Sequence, residues 1–144
     1  MNKEKAKELL HEWKERLGLQ EWAISLAINV PIKDLDENDG NVVYDTSLKV
    51  ARIKIAVENE DERNWVKYDF EKILIHELMH IKVGLLDFDT VNSYEQKLLT
   101  DTIHQLVEDI AQALMMTKYN KKGRQINRYK EEIIDEKGVE IKDE

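Results

Sequence analysis

The run His76-Glu77-Leu78-Met79-His80, entered through Ile73-Leu74-Ile75 and left through Ile81, sets the tightest constraint on this chain. On a helix, residues four apart sit about 40° apart around the axis and one turn apart along it, so His76 and His80 share a face. Two imidazoles so placed can each give one nitrogen to a single Zn2+. Glu77 projects beside that face, badly placed to bind the ion and well placed to reach a water next to it. The apolar flanks turn this helix toward a core, where imidazoles need polar partners. The chain has four histidines, and two of them lie in this motif.

Composition narrows the ways to complete such a site. The 144 residues amount to one domain, and 42% hydrophobic content is enough for a core. There are no cysteines, so a metal must be held by His and carboxylates. No stretch approaches the apolar length of a membrane span. The Met1-Asn2-Lys3-Glu4-Lys5 start lacks the apolar centre and small-residue cleavage site of a secretory signal, and a cytoplasmic protein is expected. The net charge of −8 argues against nucleic-acid binding by the surface as a whole.

In order along the chain, Leu9, Leu10, Trp13 and Leu17 recur at helical spacing over residues 3–17, and Gly18 supplies a stop. His11 lies in this helix and is a weak ligand candidate. Residues 21–30 alternate with a period of two, with Trp22, Ile24, Leu26, Ile28 and Val30 on one face, and Pro31 ends the strand. Residues 33–41 are polar and predict a turn region. Val42-Val43-Tyr44 predicts a second strand. Residues 49–57 predict a third, with Ala51, Ile53, Ile55 and Val57 facing one way. The polar residues 58–64 close the strand section.

Asp69 is the expected cap of the motif helix. Gly84 is near its end, and residues 87–90 predict a loop. Ser93 and Gln96 have capping-box spacing at the start of a last long helix over 93–117, whose apolar face is wide. The expected architecture is α+β: an N-terminal helix, a small and mostly antiparallel three-stranded sheet, the motif helix and a second long helix. Residues 1–117 form the domain. Residues 118–144, a basic block from Lys118 to Lys130 followed by an acidic end, form a charged, solvated tail.

Three protein ligands plus a water is the usual catalytic zinc shell. The last helix offers His104 and Glu108, one turn apart, and spacing alone does not choose between them. A ligating imidazole needs its other ring N–H anchored to a carboxylate or carbonyl. With His104 on the metal, Glu108 can accept that N–H from His76 or His80. With Glu108 on the metal, His104 has no evident task. We therefore favour His104 as third ligand and Glu108 as the anchoring carboxylate, with Glu108 as the alternative third ligand. Asp101 and Asp109 are fallback anchors. The pattern H-E-x-x-H-x-x-G-x-x-H is excluded, because Val83 and Leu86 stand where its Gly and third His would be.

The run from Ile73 to His80, with Gly84-Leu85 after it, resembles small zincin-type metallopeptidases, above all the ImmA/IrrE-like group and the phage- and prophage-associated metallopeptidases near it. The resemblance covers roughly residues 20–116. In those proteins a following helix reads roughly E-x-x-A-N-x-F-A-x-x-L-L-M, and the matching stretch here runs from His104 to Met116. The third metal ligand of that family, a Glu, falls on His104, and its Asn falls on Glu108. The resemblance implies a zincin-like fold, a zinc cofactor and a peptide or protein substrate, with a regulatory role in phage or other mobile-element programmes.

The expected chemistry is zinc-dependent hydrolysis of a peptide bond, with metal on His76, His80 and His104 and Glu77 as general base. Tyr44, Tyr68 and Tyr94 are candidates to stabilise the oxyanion, and strand 49–57 is the expected cleft edge. The alternative is a non-enzymatic regulatory or partner-binding module stabilised by its metal. Such a module does not need Glu77.

Overall fold

The computed structural model describes residues 1–58, 67–84 and 93–119. The predicted loop at 87–90, Leu85, the polar stretch from residue 59, the Ser93 cap and the tail from residue 120 lie outside the described residues.

Helix α1 spans Lys3–Arg16. The Asn2 side chain caps it by accepting from Lys5 N at 2.8 Å. Its other end is turned by Gly18 at φ +70°, a conformation that an L side chain resists. There Gly18 N bonds Glu15 O and Leu19 N bonds Lys14 O, the paired reverse bonds of a Schellman stop. Ala6, Leu9 and Trp13 carry the buried face of α1.

The three strands are β1 (Ala23–Val30), β2 (Gly40–Asp45) and β3 (Val50–Ala56). Their order in the sheet is β1-β3-β2. β2 and β3 form the expected antiparallel pair, but β1 runs parallel to β3. The sheet is therefore mixed rather than mostly antiparallel. The reason lies in the connections. A short turn joins β2 to β3 as neighbours, whereas the longer link after β1 passes through a 3-10 turn, Ile32–Leu35, and carries the chain past one strand position. β3 then fills the gap. It becomes the central strand, with Ala51, Ile53 and Ile55 buried against the helices. Strand 49–57 is thus not the cleft edge; β2 is. Val57, beyond the end of β3, is exposed.

Helix α2 spans Phe70–Lys82 and carries the motif. Asp69 caps it by accepting from Lys72 N at 3.2 Å. Helix α3 spans Ser93–Lys118 and packs on α2 through Ile103, Val107, Ala111 and Met115. Leu74, Ile75 and Leu78 of α2 are wholly buried between the sheet and the other helices. Among the described residues, no helix is long and apolar enough to cross a membrane.

One buried charge ties the three helices together. Glu71 of α2 is 5% exposed. It accepts hydrogen bonds from Trp13 Nε1 of α1 at 2.8 Å, from Lys118 Nζ at the end of α3 and from the Tyr119 hydroxyl. Lys118 also donates to Glu12 Oε2 at 2.6 Å. Burial alone would raise the Glu71 carboxyl, but the bonds from Lys118, Tyr119 and Trp13 outweigh it and hold the group below its usual 4.5. A carboxyl that titrates lower when folded adds stability above the unfolded-chain value and loses it as pH falls through the folded value. The urea midpoint is therefore expected to drop as pH is lowered below about 4.5. Glu71→Gln should cost about 2 kcal/mol at neutral pH and make that acid limb shallower. An equally steep acid limb in the variant would count against Glu71 as its source.

Candidate metal centre

Helical arithmetic builds the site from two antiparallel faces. On α2, Lys72, His76 and His80 follow one another at four-residue spacing. On α3, His104 and Glu108 do the same. Facing each other, the two rows bring the rings of His76, His80 and His104 together, with centroids 4.7 to 5.8 Å apart. One nitrogen from each ring lies within 4.8 Å of the others, so the three could hold a metal ion. Among the described residues, this is the only such group of His, Cys and carboxylate atoms.

The two donors on α2 have the spacing that one small ion requires. Two nitrogens bound tetrahedrally at about 2.05 Å lie about 3.4 Å from each other. His76 Nε2 and His80 Nε2 are 3.2 Å apart. Their other partners assign the tautomers. His76 Nδ1–H donates to Glu108 Oε2 at 2.8 Å, which leaves its Nε2 as a lone-pair donor aimed at His80. His80 Nε2–H then donates to His76 Nε2. In the other neutral tautomer of His80, with its proton on Nδ1, both Nε2 atoms would be free to bind a metal. His104 is exposed, so the centre opens to solvent on the α3 side.

Glu108 links a ligand candidate to a cation. Its Oε1 accepts from Lys72 Nζ at 2.8 Å, and the side chains of both residues are mostly buried. The bond from His76, opposed by burial and helped by Lys72, brings the Glu108 carboxyl down to about 2.

Glu77 points away from that network, toward the sheet. It is 7% exposed, and burial pushes its carboxyl up to about 7 against the smaller opposing effect of His76. Its neighbour on β2 is Gly40. A Cβ there would come within 2.9 Å of both Glu77 Oε1 and Ile73 Cγ2, so the slot for the carboxylate exists because residue 40 has no side chain. A cleft of about 590 Å³ opens over these groups, with Gly40 and Tyr44 of β2 on one wall and His76, Glu77, His80 and His104 on the other.

The remaining candidates are distributed as follows. Of the three tyrosines, Tyr44 lines the cleft, its ring lying over Gly84 at the end of α2. The Tyr68 hydroxyl donates to Ala56 O at 2.9 Å, and burial raises it to about 12. Tyr94 is exposed at the start of α3. His11 is exposed on α1, where it faces Glu15 at 3.4 Å. Asp109 is exposed and accepts from Gln105 Nε2, and Asp101 is exposed too. Lys72 and Gly40 were not marked out by the sequence. The four-residue step back from His76 is a signal that could have found Lys72, and no comparable signal points to Gly40.

In comparisons with protein families, curated proteins and solved structures, nothing matched this chain.

Proposed function

We propose that the chain is a minimal zincin-type metallopeptidase, with zinc on His76, His80 and His104 and a peptide or protein as substrate. The observation that carries this reading is the convergence of three imidazole nitrogens within 4.8 Å, with Glu77 next in sequence to one of the three and beside the same cleft. When bound, Zn2+ would supply Lewis acidity to a water and to the scissile carbonyl.

The rest of the task falls to the chain. Glu77 takes a proton from the attacking water and returns it to the leaving nitrogen. Gly40 lets that carboxylate lie against β2, which brings it to the strand where substrate arrives. β2 is an edge strand that also lines the cleft, so an extended peptide can add to it through main-chain hydrogen bonds. Glu108 fixes the ring of His76 through Nδ1. Tyr44, alone of the three tyrosines in lining the cleft among the described residues, is the hydroxyl we assign to the developing oxyanion. The phage or mobile-element setting rests on the sequence resemblance alone.

Protein purified without chelator is expected to carry about one zinc per chain and to cleave an unstructured protein such as casein. A chelator should abolish cleavage and added Zn2+ should restore it. A chain that takes up no stoichiometric metal overturns the reading. A loaded chain that cleaves nothing leaves the metal in place and supports the non-enzymatic module instead.

A further inference from the structure

Lys72 is a lysine with its side chain only 7% exposed, on a helix whose other buried positions are mostly apolar. Burying a cation is costly unless a partner is close. Its partner is Glu108 at 2.8 Å, and the second oxygen of the same carboxylate holds His76 at 2.8 Å. Lys72 and His76 lie one turn apart on α2, and Glu108 reaches across from α3 between them. The carboxylate is thus gripped from two points, one on each oxygen.

We propose that Lys72 is a positioning residue for the metal centre: through Glu108 it holds the imidazole of His76 with Nδ1 turned inward and Nε2 presented to the other two imidazoles. The proposal rests on the metal reading of the three histidines. A carboxylate bonded only to His76 could rotate about its terminal torsion, which is broad and weakly restrained. A second donor on the other oxygen removes that freedom. The ammonium suits the task, because it is a compact charge on a long stem that can cross from one helix to the next. Lys72 itself touches neither substrate nor ion in this role.

The test is a double-mutant cycle read by Co2+ binding, with no enzymatic activity required. Lys72→Met, similar in length but without charge, is expected to bind Co2+ about 10–100-fold more weakly, as removal of a ligand's anchor does, and to shift the visible absorption of the bound Co2+. Lys72→Arg should restore much of both. The same Lys72→Met change made in a Glu108→Gln background should alter Co2+ affinity by less than about twofold, because Lys72 acts only through that carboxylate. The double variant strands neither charge, so this leg can still overturn the proposal if Lys72→Met alone does not fold. Wild-type affinity and spectrum in folded Lys72→Met would overturn the proposal. So would a large further loss in the Glu108→Gln background. Failure of the metal reading looks different: the wild-type chain then takes up no Co2+ at all.

Discussion

Glu77→Gln is expected to keep the metal and lose the hydrolysis, with kcat lower by about 10²–10⁴-fold. The size of the effect follows from what the substitution removes. Gln has the shape of Glu and fills the slot left by the missing side chain at Gly40, so packing against β2 and Ile73 is preserved. An amide cannot take a proton from water at neutral pH, so only proton transfer is lost. Metal content measured by atomic emission should equal that of wild type, because no carboxylate oxygen of Glu77 belongs to the three-imidazole group. Thermal stability should not fall, because the substitution replaces a buried carboxylate that burial disfavours. A loaded Glu77→Gln protein that cleaves casein at the wild-type rate would falsify Glu77 as the base. A variant that loses its metal would instead show that Glu77 supports the centre.

Part of this arrangement was written plainly in the chain. The Asp69 cap and the apolar period of α2 fix the helix, and the four-residue arithmetic then fixes which side chains share its face. The same arithmetic puts Glu108 one turn from His104. Trp13, Leu9 and Gly18 likewise mark α1 and its stop. In the sheet, alternation tells which residues face the helices. It says nothing of which strand neighbours which, because all three strands carry the same period. The parallel pairing of β1 with β3 was therefore hidden, although the fuller run of buried residues on β3 is what a central strand needs.

The buried charges were hidden for a different reason. Glu71 and Lys72 read as the polar first turn of a helix, since each partner lies far along the chain. Lys118 is 47 positions from Glu71, and Glu108 is reached only once α3 has docked. Local pattern carries no trace of such a contact. Gly40 follows Asp39, a pair that signals a turn. In the fold it is the first residue of β2, and it is needed there for the space it leaves beside Glu77.

The choice between His104 and Glu108 as third ligand is decided by the size of the loss when each is removed. Glu108 is engaged on both oxygens, by Lys72 and by His76, at 2.8 Å each. A carboxylate so held acts behind the metal, and removal of a group of that kind weakens metal binding by about 10–100-fold. His104 has its ring 4.7 Å from His80 and 5.8 Å from His76, centroid to centroid, and faces the opening of the cleft. Its removal leaves only the two imidazoles of α2, short of the three protein ligands that a catalytic zinc site uses. Competition of each variant against a chromophoric chelator should therefore give an ordered series. Glu108→Ala binds zinc within about 100-fold of wild type, and His104→Ala falls below it. The reverse order, with His104→Ala near wild type and Glu108→Ala unable to hold zinc, would make Glu108 the ligand. Lys72 would then be the partner of a metal-bound carboxylate, and the tautomer of His76 would need another anchor.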